Sequence, residues 1–172
     1  MSEMHLAERA GEIEATGTAS RCSTRVVVID DDPDDLWLLR RSLTRASDEG
    51  APVDLSICRG PAVALDFLRS QNETSQRASS PDLMLIDVNM PDMSGIELLR
   101  VIRSIERFRD TAIMVMTSAV DEELAEEASA AGADAVLTKP DTLAGLDALV
   151  ASLLRGRAAS RTRTTATRLR SA

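Results

Sequence analysis

The sequence predicts an α/β fold with a doubly wound, five-stranded parallel sheet. Three observations predict it. Short β-branched or aliphatic runs alternate with segments of helical period, and they do so five times. The first run, Val26–Ile29, is apolar without a break, as strands buried on both faces are. Each connection is long enough to hold a crossover helix. The chain has 172 residues, 44% of them apolar and only 2% aromatic, so it can build a real but aliphatic core.

The elements follow in order. Residues 1–24 form a polar extension, expected to be flexible, in which the region Met4–Ala15 has weak helical character. Val26-Val27-Val28-Ile29 reads as a buried strand that stops at Asp30. Asp32-Pro33 then supplies an N-cap and a proline at the first helical position. Leu36, Leu39, Leu43 and Ala46 give the helix its inward stripe. Val53–Cys58 predicts a strand and Pro61–Arg69 a helix, followed by a polar loop up to Pro81. Leu83–Ile86 predicts a strand ending at Asp87, and Gly95–Ile105 a helix with Ile96, Leu99 and Ile102 inward. Ala112–Met116 ends at Thr117, and the helix Asp121–Ala131 is stopped by Gly132. Ala135–Leu137 ends near Lys139-Pro140, and Leu143–Leu154 is the last helix. Residues 155–172 carry six Arg, no acid and one large apolar residue, Leu169, and are expected to be a disordered basic tail dispensable for the chemistry. The domain is therefore expected over residues 25–154.

Composition excludes whole classes of mechanism. The formal net charge is −8, and residues 25–154 alone carry 24 acids against 12 bases. A body this acidic repels the phosphate backbone, so specific nucleic-acid binding is not expected of it. The sole histidine, His5, lies in the polar extension, which argues against His-activated nucleophiles and against zinc. Cys22 and Cys58 lack C-x-x-C spacing and read as free thiols of a reducing compartment. With no apolar run long enough to span a bilayer and no secretion pattern, a soluble cytoplasmic protein is expected, with no membrane association.

In a parallel sheet the functional crevice lies outside the carboxyl ends of the strands. Asp30 and Asp31, Asp87, Thr117 and Lys139 all fall there. Three crowded carboxylates raise one another's pKa unless a cation joins them, and hard oxygen ligands suit Mg²⁺. Asp87 can act as a nucleophile toward a phosphoryl group. Lys139 is the only lysine in the chain, a compact cation able to follow a small anion. Thr117 can donate its hydroxyl to a phosphoryl oxygen. Asp32, Asp34 and Asp35 read instead as acids favoured at a helix N-terminus. Trp37 reads as partly packed around the first helix.

Val28-Ile29-Asp30-Asp31, the segment Asp87-Val-Asn-Met-Pro-Asp-Met-Ser-Gly95, Met116-Thr117-Ser118 and Lys139-Pro140 together resemble the receiver domain of two-component response regulators. The acidic opening and the polar loop before Pro81 look most like the single-domain regulators associated with bacterial phytochromes. The resemblance covers about residues 25–154 and implies a (βα)5 flavodoxin-like fold. It implies that Asp87 accepts a phosphoryl group from a sensor histidine kinase or histidine phosphotransfer protein. Asp30, Asp31, Asp87 and the backbone carbonyl of Asn89 would hold Mg²⁺, and Thr117 and Lys139 would contact the phosphoryl oxygens. Such a domain is a signalling module and not an enzyme, apart from slow autodephosphorylation. Val136 stands where many receivers carry an aromatic switch, which leaves aromatic switching in doubt.

The competing reading is a Mg²⁺-dependent aspartyl-phosphate phosphatase of haloacid-dehalogenase type. That class expects a second Asp two residues after the nucleophile, and position 89 is Asn. A DNA-binding regulator would need an effector domain, which the 18 residues after Leu154 do not supply. Leu149, lying off the stripe of Leu143, Leu146, Val150, Leu153 and Leu154, suggests a homodimer.

Overall fold

The structure is a computed structural model, and it describes residues 14–16, 23–73 and 80–169. Six strands form one sheet in the order β1-β3-β2-β4-β5-β6. They are β1 (Glu14–Thr16), β2 (Thr24–Asp30), β3 (Val53–Arg59), β4 (Leu83–Asp87), β5 (Ala112–Thr117) and β6 (Ala135–Thr138). The helices are α1 (Pro33–Asp48), α2 (Pro61–Glu73), α3 (Gly95–Arg103), α4 (Glu122–Ala131) and α5 (Leu143–Leu169), with a 3₁₀ turn at Glu106–Phe108. Strands β2 to β6 are mutually parallel, which is the predicted doubly wound five-stranded sheet.

Alternation along the strands divides the core between the two faces. Val27, Ile29, Met84, Ile86, Ile113 and Val115 pack with α2, α3 and α4 residues such as Leu68, Leu99 and Ala128. Val26, Val28, Leu55, Ile57, Leu83 and Leu85 pack with Leu39 and Leu43 of α1 and Leu146, Val150 and Leu154 of α5. Each such aliphatic side chain contributes about 1.5–3 kcal/mol when fully buried. Because both faces are covered, the strand ends alone remain open for chemistry.

Three features differ from the sequence reading. Glu14–Thr16 is a strand that pairs antiparallel with β3, capping an otherwise open sheet edge. The helical character expected around Met4–Ala15 otherwise lies outside the described residues, as does the flexibility of the extension. The last helix does not end at Leu154 but continues to Leu169, so the backbone is helical where a disordered tail was expected. Lengthening an existing helix is far easier than nucleating one, and Arg and Ala are good helix formers. Trp37 is 58% exposed rather than packed, because α1 turns Leu36, Leu39 and Leu43 inward.

Candidate functional site

Strand β2 delivers Asp30 and Asp31 to the carboxyl edge of the sheet. Asp30 is 2% exposed, while Asp31 is exposed. The chain turns at once into α1, whose N-cap is Asp32. Its Oδ1 accepts the backbone N–H of Asp34 at 2.8 Å and of Asp35 at 3.3 Å. Asp32 and Asp34 thus have the helix-terminal role expected of them. Asp35 does not stay there.

Strand β4 delivers Asp87, 6% exposed. Gly95 makes this position possible, for a Cβ on it would lie 2.0 Å from the Asp87 carbonyl oxygen. Its own N–H donates to the Val88 carbonyl at 2.9 Å. Loop 88–94 is thereby folded back over the end of β4, and α3 starts beneath it with a capping box. Ser94 Oγ accepts the Glu97 N–H at 3.2 Å, and Glu97 Oε2 accepts the Ser94 N–H at 2.8 Å. Within this loop Asp92 has φ +67°, the only non-glycine in that region among the described residues. Such a conformation persists only where its surroundings impose it.

Lys139, just beyond β6, reaches across the edge. Its Nζ lies 2.9 Å from Asp30 Oδ2, 2.5 Å from Asp87 Oδ1 and 2.6 Å from Asp35 Oδ2. Burial alone would pull its pKa down, but hydrogen bonds to Asp35, Asp87 and Asp30 outweigh that and hold it above the ordinary lysine value. Burial pushes the Asp30 carboxyl above the usual aspartate range, and its hydrogen bonds from Lys139 and from the Asp32 N–H offset this only in part. Sequence reasoning missed Asp35 as a site residue. The signal was its place in the first turn of α1, directly after the strand end that carries Asp30 and Asp31.

Thr117, at the end of β5, is buried. Its hydroxyl donates to the Ala119 carbonyl at 3.1 Å, and the Lys139 N–H donates to the Thr117 carbonyl at 2.7 Å. Asn89 is exposed in the loop two residues after Asp87. Cys58, buried against the α2 side, has its thiol pushed up to about 12 by burial and takes no part. The residues Asp30, Asp31 and Asp87 fit a hard divalent cation. Each offers a carboxylate oxygen, and these oxygens all lie within 4.8 Å of one another.

The arrangement gathers three carboxylates and a lysine at the carboxyl edge of a parallel sheet. The family model of the response regulator receiver domain matches residues 26–151, and the chain belongs to that family. Among curated proteins it is similar to the transcriptional regulatory protein PrrA of Mycobacterium leprae, 36% identical over 140 residues, which are 81% of this chain and 54% of that one. It is also similar to the DNA-binding transcriptional regulator NtrC of Proteus hauseri, 36% identical over 67% of this chain and 21% of that one. The chain thus spans about half or less of these relatives' length. Among solved structures, response regulator RPA3017 in red light signalling of R. palustris superposes with TM-score 0.64 at 27% identity, covering 76% of this chain and 90% of that one. The phosphorylated cyanobacterial phytochrome response regulator RcpA superposes with TM-score 0.66 at 24% identity, covering 76% and 91%, and shares the fold. Receiver domains of two-component systems work with histidine kinases. Among the described residues no helix is long and apolar enough to cross a membrane.

Proposed function

We propose that this chain is a stand-alone cytoplasmic response regulator that accepts a phosphoryl group on Asp87 and thereby switches its binding to a protein partner. The observation that carries the reading is Asp87 itself, nearly buried, 2.5 Å from the Lys139 ammonium and clustered with Asp30 and Asp31. A carboxylate oxygen of Asp87 attacks phosphorus, and the bond from phosphorus to the imidazole nitrogen of a phosphohistidine breaks. The imidazole leaves with the electron pair and takes up a proton. Asp30, Asp31, Asp87 and the Asn89 carbonyl would hold Mg²⁺, which when bound neutralises phosphoryl oxygens. Lys139 takes one oxygen of the acyl phosphate, and Thr117 turns its hydroxyl to another.

The likeness to RPA3017, a response regulator in red light signalling, extends over 90% of that chain. It also makes a light-sensing kinase the first donor to try. We take the domain as residues 25–154 and the remainder of α5 as unneeded for phosphotransfer. The acidic body weighs against nucleic acid as a partner, although PrrA and NtrC are transcriptional regulators. Incubation with acetyl phosphate and Mg²⁺ should add one phosphoryl group by intact mass. Asp87→Asn should add none, and equal labelling of that variant would falsify the assignment.

A further inference from the structure

We propose that Arg59 is a positioning residue that draws the dianionic phosphoryl donor to Asp87. The proposal rests on the reading of Asp87 as acceptor and concerns what brings the donor in.

The register places it. Arg59 ends β3 directly beside Asp30, its paired residue on β2. Side chains of paired residues lie on one face of a sheet. Val26 and Val28 of β2 and Leu55 and Ile57 of β3 all face α1 and α5, and Asp30 and Arg59 continue that face to the carboxyl edge. The next residue, Gly60, donates its N–H to the Asp30 carbonyl at 2.9 Å. A Cβ on Gly60 would lie 3.9 Å from Asp31 Cβ. The turn after β3 is therefore seated against the acidic pair.

Charge gives the placement its meaning. The strand ends and adjoining turns at this edge (30–35, 58–62, 87–97, 117–123 and 138–142) contain two cations, Arg59 and Lys139. Against them stand Asp30, Asp31, Asp32, Asp34, Asp35, Asp87 and Asp92, and others further along the rim. Lys139 is already shared among three carboxylates. Arg59 is exposed, and among the described residues its guanidinium forms no ion pair. A donor carrying two negative charges approaches a rim that repels it, and Arg59 is the one exposed cation there not committed to a carboxylate. A weakly hydrated, forked guanidinium suits a phosphoryl group in transit.

The same charge opposes a metal cation bound by Asp30 and Asp31, so removing it should move two measurements in opposite directions. With Arg59→Ala the second-order rate of labelling by acetyl phosphate should fall roughly three- to tenfold at low ionic strength. The loss should shrink as salt is raised toward 1 M, where screening acts within about 3 Å. Calorimetric titration with Mg²⁺ alone should show tighter binding in the variant. Arg59→Glu should exaggerate both effects, and Arg59→Lys should restore most of the rate. Phosphoramidate, with less negative charge, should show a smaller loss than acetyl phosphate. If Arg59 only braces the turn, Arg59→Ala will weaken Mg²⁺ binding and labelling together, at every salt concentration, and the proposal is overturned. An unchanged rate at low salt overturns it equally. Failure of the wild type to label at all would instead indict the assignment of Asp87.

Discussion

Replacing Gly95 by alanine puts a methyl group 2.0 Å from the carbonyl oxygen of Asp87, 2.9 Å from its carbonyl carbon and 3.0 Å from Val88 Cα. All three neighbours are backbone, so no side-chain rotation relieves the clash. Non-bonded carbon and oxygen need roughly 3 Å or more, so the two segments must separate by about 1 Å. The segments concerned are the first turn of α3 and the peptide of Asp87. Overpacking of this kind costs about 1–3 kcal/mol, which Gly95→Ala should lose in urea unfolding. The functional loss should be larger than the stability loss implies. A displacement of about 1 Å in a reacting group can cost roughly a hundredfold in rate, and on the proposed function the displaced group is the backbone of the reacting residue, Asp87. The assay is the rate of acetyl phosphate labelling under conditions where both proteins remain folded by circular dichroism. If the variant keeps wild-type stability and labels at the wild-type rate, the close approach is not what positions Asp87. Gly156→Ala, with nothing within 4 Å of the added carbon, is the matched control.

Two further outcomes follow from the same edge. Lys139→Arg should fold but respond poorly. Three carboxylate oxygens at 2.5–2.9 Å surround a point charge, and a planar fork cannot satisfy all of them. Loss of one charge-assisted hydrogen bond is worth about 1.5–3 kcal/mol, so the gain in partner affinity on adding beryllofluoride should drop roughly ten- to hundredfold; a wild-type response would refute the point-charge argument. The raised pKa of Asp30 has a defined sign. Its folded value lies above its unfolded one, so its contribution to stability is full below the ordinary aspartate pKa and is lost as pH rises through the folded value. Metal-free Asp30→Asn should therefore gain stability relative to wild type as pH is raised from about 4 to 7 in urea titrations. A constant or shrinking difference would contradict this.

The strands were legible because burial on both faces leaves nothing polar in them: Val26–Ile29, Leu83–Ile86 and Ala112–Met116 are readable as apolar runs without any partner in view. The gathering of the candidate residues was legible for a related reason. Asp30, Asp87, Thr117 and Lys139 each break such a run, and a parallel sheet brings the breaks to one edge. What was not legible depends on contacts distant in sequence. Glu14–Thr16 has no pattern of its own and is a strand only because the edge of β3 accepts it. Asp35 looks like any first-turn helix acid until Lys139, 104 residues later, reaches it. Arg59 looks like a charged residue ending a strand until register sets it beside Asp30. Residues 155–169 carry a single large apolar residue, Leu169, so no apolar stripe in the sequence signalled that α5 would go on; helix propensity alone favours it.

Val136 bears on how a signal would leave this edge. A valine side chain has one χ1 angle and no polar atom, so it cannot swing between a buried and a solvated state as a phenol ring can. Thr117 is nevertheless engaged in a contact that must break if its hydroxyl is captured. Its Oγ1 donates to the Ala119 carbonyl at 3.1 Å and accepts the Ala119 N–H at 3.4 Å, holding the turn between β5 and α4. Turning the hydroxyl toward a ligand on Asp87 releases both groups of Ala119 at once. Residues 118–120 are exposed, Val120 among them, and have little packing to resist rearrangement. Asp121, which caps α4 through the Leu124 N–H at 2.8 Å, is the next fixed point along the chain. A change at Thr117 therefore reaches the start of α4 through four residues of backbone, without a ring in β6 to carry it.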